Sequence, residues 1–180
     1  MVGRAYELIS ELYAIINSDK IARMILDIVS ARRIYLCGNG GSASNAQHFE
    51  SDLQSLNIDA ICLNNNAARI TALTNDYGWE DIYIKQLQHM TDKDILMIFT
   101  VHGSTGQMHG DKWSQNLAKA AQFAREHGAR VLLFSGCNGG TIIKFADSAL
   151  TCISGDVDVV EPFHAAACHE ICAQIKDTIN

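Results

Sequence analysis

Residues 34–48 read Ile-Tyr-Leu-Cys-Gly-Asn-Gly-Gly-Ser-Ala-Ser-Asn-Ala-Gln-His, and they restrict the fold more than any other stretch. The run Ile34 to Cys37 predicts a short buried strand of a parallel sheet. It breaks at Gly38-Asn39-Gly40-Gly41, passes Ser42 and Ser44, and enters helical spacing from about Ser44 to Leu53. A strand, a glycine loop and a helix start aim backbone N–H groups and serine hydroxyls at one point, where the helix dipole also favours an anion. Glycine permits the positive-φ turns and the close backbone approach that such a loop needs. No Lys follows the glycines and the third glycine of a dinucleotide fingerprint is missing, so the loop predicts a phosphate outside a nucleotide.

The rest of the chain alternates in the same way. Apolar positions in 5–29 recur at helical spacing, with a break and N-cap at Asn17-Ser18-Asp19. Strands are expected at 59–63, 94–101, 130–135 and 149–153. Helices are expected at 67–74, 80–88, 112–127, 141–146 and from Pro162 to Thr178, with Asn75-Asp76-Tyr77-Gly78 as a turn. Gly128 suits a helix C-terminus, and the single proline, Pro162, suits a first helical turn. Alternating strands and helices over 180 residues predict one α/β domain, residues 1–180, with a parallel sheet covered on both faces. Sites in such sheets lie beyond the carboxyl ends of the strands.

Composition narrows the function. A net charge of −6 with Lys and Arg never in a run argues against a nucleic-acid surface. No apolar run reaches membrane-spanning length, and Glu7 stands where a secretory signal needs an apolar stretch; a cytoplasmic protein is expected. The six cysteines (37, 62, 137, 152, 168 and 172) do not have zinc-ribbon spacing and read as small buried hydrophobes in a reducing compartment.

Chemistry-bearing residues fall in three places. His48 and Asp52 are one helical turn apart and share a face, which is half of a metal site or a local hydrogen-bonded pair. The last helix carries Glu161, His164, His169 and Glu170; His164 lies on an apolar surface, where a histidine is commonly a packed one. The loop Thr100-Val101-His102-Gly103-Ser104-Thr105-Gly106, with His109, Lys112 and Ser114, offers further phosphate donors or is a polar surface loop. Trp79 and Trp113 read as packing residues.

The stretch Cys37-Gly38-Asn39-Gly40-Gly41-Ser42-Ala43-Ser44-Asn45-Ala46-Gln47-His48-Phe49, then Asp52-Leu53, resembles the phosphoheptose isomerases of the sugar isomerase (SIS) fold. Asn75-Asp76-Tyr77-Gly78 matches a second segment of that family. The resemblance runs from about residue 5 to the end. It implies a three-layer α-β-α sandwich with a five-stranded parallel sheet, N-terminal helices for oligomer packing, and a homotetramer with active sites between subunits. It also implies conversion of sedoheptulose 7-phosphate to D-glycero-D-manno-heptose 7-phosphate through an ene-diolate stabilised by a divalent metal, usually zinc. By position, the resemblance puts the family's metal-binding His on His48, its catalytic Glu on Asp52, its Gln on Glu161 and its catalytic, metal-binding His on His169, so a metal site of His48, Asp52, Glu161 and His169 is expected; catalysis is expected of Asp52, His169 and Glu161, with Asp76 orienting substrate hydroxyls. Substrate and phosphate contacts fall on Asn39, Gly40, Ser42, Ser44, Thr100, His102, Ser104 and Ser114. The chain departs from the family at Asp52, where the family has Glu, at Glu161, where it has Gln, and in the loop after Thr100. The alternative is a non-catalytic SIS module acting as a sugar-phosphate sensor or an interaction scaffold.

Overall fold

The apolar runs pair into one parallel sheet in the computed structural model, which describes residues 3–16, 18–104 and 113–179. The strands are β1 (Arg33–Gly38), β2 (Ala60–Cys62), β3 (Asp94–Thr100), β4 (Arg130–Ser135) and β5 (Ser148–Thr151), in the spatial order β2-β1-β3-β4-β5. The helices are α1 (Arg4–Ile16), α2 (Asp19–Ser30), α3 (Gly41–Ser55), α4 (Ala67–Tyr77), α5 (Gln115–Glu126) and α6 (Val157–Ile179). In β1 and β3 the pairing sets Ile34 beside Ile95 and Leu36 beside Met97, so the pleat sends whole rows of side chains to one face or the other.

Two cores result. Ile34, Leu36, Met97, Phe99, Leu132 and Phe134 face α1, α2, α3 and α6. Tyr35, Cys37, Leu96, Ile98, Val131 and Leu133 face α4, α5 and the segment around Tyr83. This is the expected three-layer sandwich. Of the cysteines, only Cys137 is partly exposed; the other five are buried and none is disulfide-bonded.

Several element ends differ from the sequence expectation. α3 begins at Gly41, so Ser42 and Ser44 lie within its first turn and a half rather than ahead of it. Residues 80–88 form a 3-10 turn at Trp79–Asp81 and then successive turns, not a helix, because Ile82, Tyr83 and Leu87 are all pulled into one core. Trp79 is half exposed and does not pack as expected. The turn at 75–78 is absorbed into the end of α4, with Gly78 terminating the helix at φ 87°. Ser18 does stand at the N-cap of α2, but its hydroxyl donates to the Ile15 carbonyl at 2.7 Å and makes no cap bond.

α6 starts a turn and a half before Pro162. Asp156 caps it: its carboxylate accepts from the Asp158 N–H at 3.0 Å, and its carbonyl accepts from Val160 N–H at 2.9 Å. Pro162 therefore sits inside the helix and removes the N–H that would bond Asp158.

Candidate functional site

The chain leaves β1 toward β2 on one side and reaches β3 on the other, so the strand order reverses between β1 and β3. A crevice must open there, past the carboxyl ends of both strands. It is a cavity of about 190 Å³ lined by Asn39, Gly40, Gly41 and Ser42 after β1, by Thr100, Val101 and His102 after β3, by Trp113, Ser114 and Leu117 at the start of α5, and by Val157 and Glu161 from α6. Gly40 (φ 59°) makes the turn into α3. The first turn of α3 has no acidic residue and no side-chain cap; the Ala43 N–H bonds the Gly40 carbonyl at 3.0 Å, and the helix dipole favours an anion at this end.

A polar network holds this cradle. The Tyr83 hydroxyl donates to the Gly38 carbonyl at 2.6 Å. Asn64 grips Gly38 from both sides, accepting from its N–H at 3.2 Å and donating to its carbonyl at 2.9 Å. Asn39 donates to Asn116 Oδ1 at 2.9 Å and to Ser114 Oγ at 3.2 Å, and accepts from Asn116 Nδ2 at 3.0 Å. Burial pushes the Tyr83 hydroxyl pKa up, which keeps it a donor. Sequence reasoning missed Asn64, Tyr83 and Asn116. The one signal available was Asn116, a polar residue on the buried stripe of α5, fully enclosed in the structure.

The other expected phosphate residues divide. Thr100 accepts from the Gly103 N–H at 3.2 Å and shapes the loop. His102 lines the cavity edge-on to Trp113, with ring centroids 4.9 Å apart, and burial lowers its pKa, so it is neutral near pH 7. Ser104 donates to the Trp113 carbonyl at 2.8 Å and lines a neighbouring groove instead. Ser44 is exposed and lines the outer groove shared with Glu161 and Asp158. Thr105, Gly106, His109 and Lys112 lie outside the described residues.

A second cluster lies further along α3 and α6. His48 Nε2 is 3.4 Å from Asp52 Oδ2, and His169 Nδ1 is 3.6 Å from the same oxygen. The two imidazoles meet edge-to-face, centroids 5.0 Å apart. One ligand atom from each of the three lies within 4.8 Å of the others. Asp52 Oδ2 is buried and accepts no hydrogen bond. A carboxylate oxygen removed from water, unpaired and flanked by two imidazole nitrogens, is costly alone and becomes favourable around a cation. The three residues fit a divalent metal.

Glu161 and Asp76 are placed apart from this triad. The Glu161 carboxylate lies on Gly41, where an added Cβ would collide with both of its oxygens. Burial, aided by Asp158, raises its pKa. Asp76 is exposed at the end of α4 and accepts from Asn75 Nδ2 at 3.0 Å. His164 is fully buried among Phe99, Phe134 and Phe163, with ring centroids about 6 Å away, and neither ring nitrogen is hydrogen-bonded. It cannot touch a substrate.

The family model described as SIS domain matches residues 16–136. A phosphoheptose isomerase of Helicobacter pylori (strain HPAG1) is 33% identical over 151 residues, covering 80% of this chain and 74% of that one. The chain belongs to the phosphoheptose isomerase family. The family's phosphoheptose isomerase from Geobacter sulfurreducens is 30% identical, with 86% and 82% of the two chains covered. The solved phosphoheptose isomerase of Francisella tularensis superposes with a TM-score of 0.82 at 28% identity, over 94% of this chain and 91% of that chain. As a member of this isomerase family the chain is an enzyme of sugar-phosphate metabolism.

Proposed function

We propose that this isomerase interconverts sedoheptulose 7-phosphate and D-glycero-D-manno-heptose 7-phosphate, with the phosphate in the β1–β3 crevice and the carbonyl end at the His48–Asp52–His169 triad. The observation that carries this reading is that α3 and α6 serve both places at once. Glu161 lines the crevice and His169 joins the triad eight residues later, a rise of about 12 Å along α6. That separation suits an extended seven-carbon chain with a terminal phosphate.

The reaction takes a proton from C1 of the ketose and returns one to C2, through an ene-diol. Asp52, whose carboxylate faces the two imidazoles, is assigned as the base, and His169 as the acid on the other side. His48 orients the Asp52 carboxylate. The crevice holds the phosphate by the α3 N–H groups, Ser42 and Ser114, which fixes the sugar so that C1 meets Asp52. His48, Asp52 and His169 would hold a divalent metal, which would supply Lewis-acid polarisation to the substrate when bound; zinc suits a two-histidine, one-carboxylate set. His48 and His169 are well exposed on a single chain, and Asp76 faces solvent. A homotetramer with sites between subunits would cover the first two and bring Asp76 to a neighbour's substrate. The reading places the enzyme in the cytoplasm; among the described residues no helix is long and apolar enough to cross a membrane.

The test is to incubate the metal-loaded protein with sedoheptulose 7-phosphate in deuterated water and follow proton NMR. An aldose heptose phosphate carrying deuterium beside its carbonyl supports the reading. Folded, metal-loaded protein that gives neither exchange nor product overturns it in favour of a binding module.

A further inference from the structure

We propose that Asn116 is a positioning residue of the crevice: it fixes the Asn39 amide and takes over the capping of α5, so that the Ser114 hydroxyl is turned as a donor toward the substrate phosphate. This rests on reading the crevice as the phosphate site. Ser114 stands at the N-cap of α5, where a serine hydroxyl ordinarily accepts from the N–H of the second or third helical residue. It makes no such bond here. The N–H of Leu117, the third residue of α5, goes instead to Asn116 Oδ1 at 2.9 Å and to the Ser114 carbonyl at 3.0 Å. Ser114 Oγ is thereby released from its own helix, and the residue lines the crevice.

Asn116 is fully buried, and its carboxamide meets that of Asn39 head to head. Asn39 Nδ2 donates to Asn116 Oδ1 at 2.9 Å, and Asn116 Nδ2 donates to Asn39 Oδ1 at 3.0 Å. The Leu117 N–H sets the direction of the pair. An Asn116 amide turned over would face that N–H donor to donor, and Asn39 cannot turn over alone without facing Asn116 in the same way. The second hydrogen of Asn39 Nδ2 is therefore held toward Ser114 Oγ, 3.2 Å away. A hydroxyl that accepts from Asn39 keeps its own proton to give. A phosphate oxygen is the acceptor that rewards it most, since a hydrogen bond to an ionised group is about twice as strong as a neutral one. Without Asn116, Asn39 can turn its oxygen to Ser114, and the Ser114 hydroxyl can swing back to cap α5. Either movement takes the proton away from the substrate.

The experiment is steady-state kinetics of the metal-loaded full chain on sedoheptulose 7-phosphate, for wild type, Asn116→Ala, Asn116→Leu, Ser114→Ala and the double variant of Ser114→Ala with an Asn116 substitution. In each Asn116 variant KM is expected to rise about tenfold, the lower end for a hydrogen bond to a charged group. kcat is expected to change less than about threefold, because the phosphate bond is the same in the ground and transition states. The double variant is expected to match Ser114→Ala within about twofold, since Asn116 acts through a hydroxyl already removed. Loss of structure alone would add its own defect on top. Circular dichroism establishes folding; one folded Asn116 variant suffices, and the double variant carries that substitution. An unchanged KM, or a double variant more than about fivefold worse than Ser114→Ala, overturns the proposal while wild-type turnover leaves the isomerase reading standing. No turnover by wild type overturns the isomerase reading and this proposal with it.

Discussion

Asp52 shows how one atom sets the character of a site. Its Oδ2 is buried, accepts no hydrogen bond, and lies 3.4 Å and 3.6 Å from imidazole nitrogens of His48 and His169. Asp52→Asn replaces one oxygen by an amide nitrogen, which is a poor ligand and no base. Turnover is expected to fall by about 10²–10⁴-fold, with bound metal lost in elemental analysis; unchanged turnover would remove Asp52 from the mechanism. His164 has the opposite character. Burial lowers its pKa to about 3, with the nearby Ser135 backbone offsetting part of this without closing a hydrogen bond. In the unfolded chain a histidine takes its proton near pH 6.5. Between those values the unfolded state binds more protons than the folded one, so stability is intact above pH 6.5 and declines as pH falls below it. The slope approaches about 1.4 kcal/mol per pH unit. His164→Phe keeps the ring and removes the titration. Urea unfolding at pH 7.5, 6 and 5 is expected to show a shallower decline for this variant than for wild type; parallel curves would contradict it.

The junction of β1 and α3 is where an element boundary becomes a binding surface. A Cβ on Gly38 would lie 2.6 Å from the Ser42 carbonyl carbon and oxygen and 2.9 Å from the Ala43 nitrogen. These are backbone atoms of the first turn of α3, so relief requires moving the helix start itself. Gly38→Ala is expected to cost about 1–3 kcal/mol, the range for overpacking, and to weaken binding of a sugar phosphate; a urea midpoint equal to wild type would show that the turn can yield. Asn64 and Tyr83 reinforce the same junction by bonding both polar groups of Gly38. β1, α3, the β2 end and the segment at 82–87 are thereby one mechanical unit under the crevice. The glycines were legible in the sequence as a loop. Their clamp was not, because Asn64 and Tyr83 come from separate elements whose meeting depends on the sheet order.

For the whole molecule, α1 is the part that a single chain leaves unfinished. Its inner face packs Leu8, Leu12 and Ile15 on the core. Its outer face carries Tyr6, Ile9 and Tyr13, which are 67%, 65% and 75% exposed. Single exposed apolar residues are ordinary, but three at i, i+3 and i+7 form a stripe that water does not favour. Light scattering after size exclusion is expected to show a tetramer for wild type. Tyr6→Glu with Tyr13→Glu is expected to give smaller species with reduced turnover per chain. A wild-type monomer with full activity would refute the interfacial site.

Spacing along the chain determined what lies within one element. It fixed the alternation of strands and helices, the glycine turn into a helix, and the shared face of His48 and Asp52, because side-chain direction in a helix or strand follows from sequence separation alone. It misplaced the start of α6, since Pro162 suits a first turn and nothing local showed that Asp156 caps the helix earlier. Which faces of different elements meet was decided only by tertiary packing across the sheet. That packing set His169 against Asp52, laid the Glu161 carboxylate on Gly41, enclosed His164 in phenylalanine rings, and left Asp76 in solvent. Residues far apart in sequence are brought together by burial of apolar surface, and the polar groups that chance to line the seams acquire their chemistry from that burial.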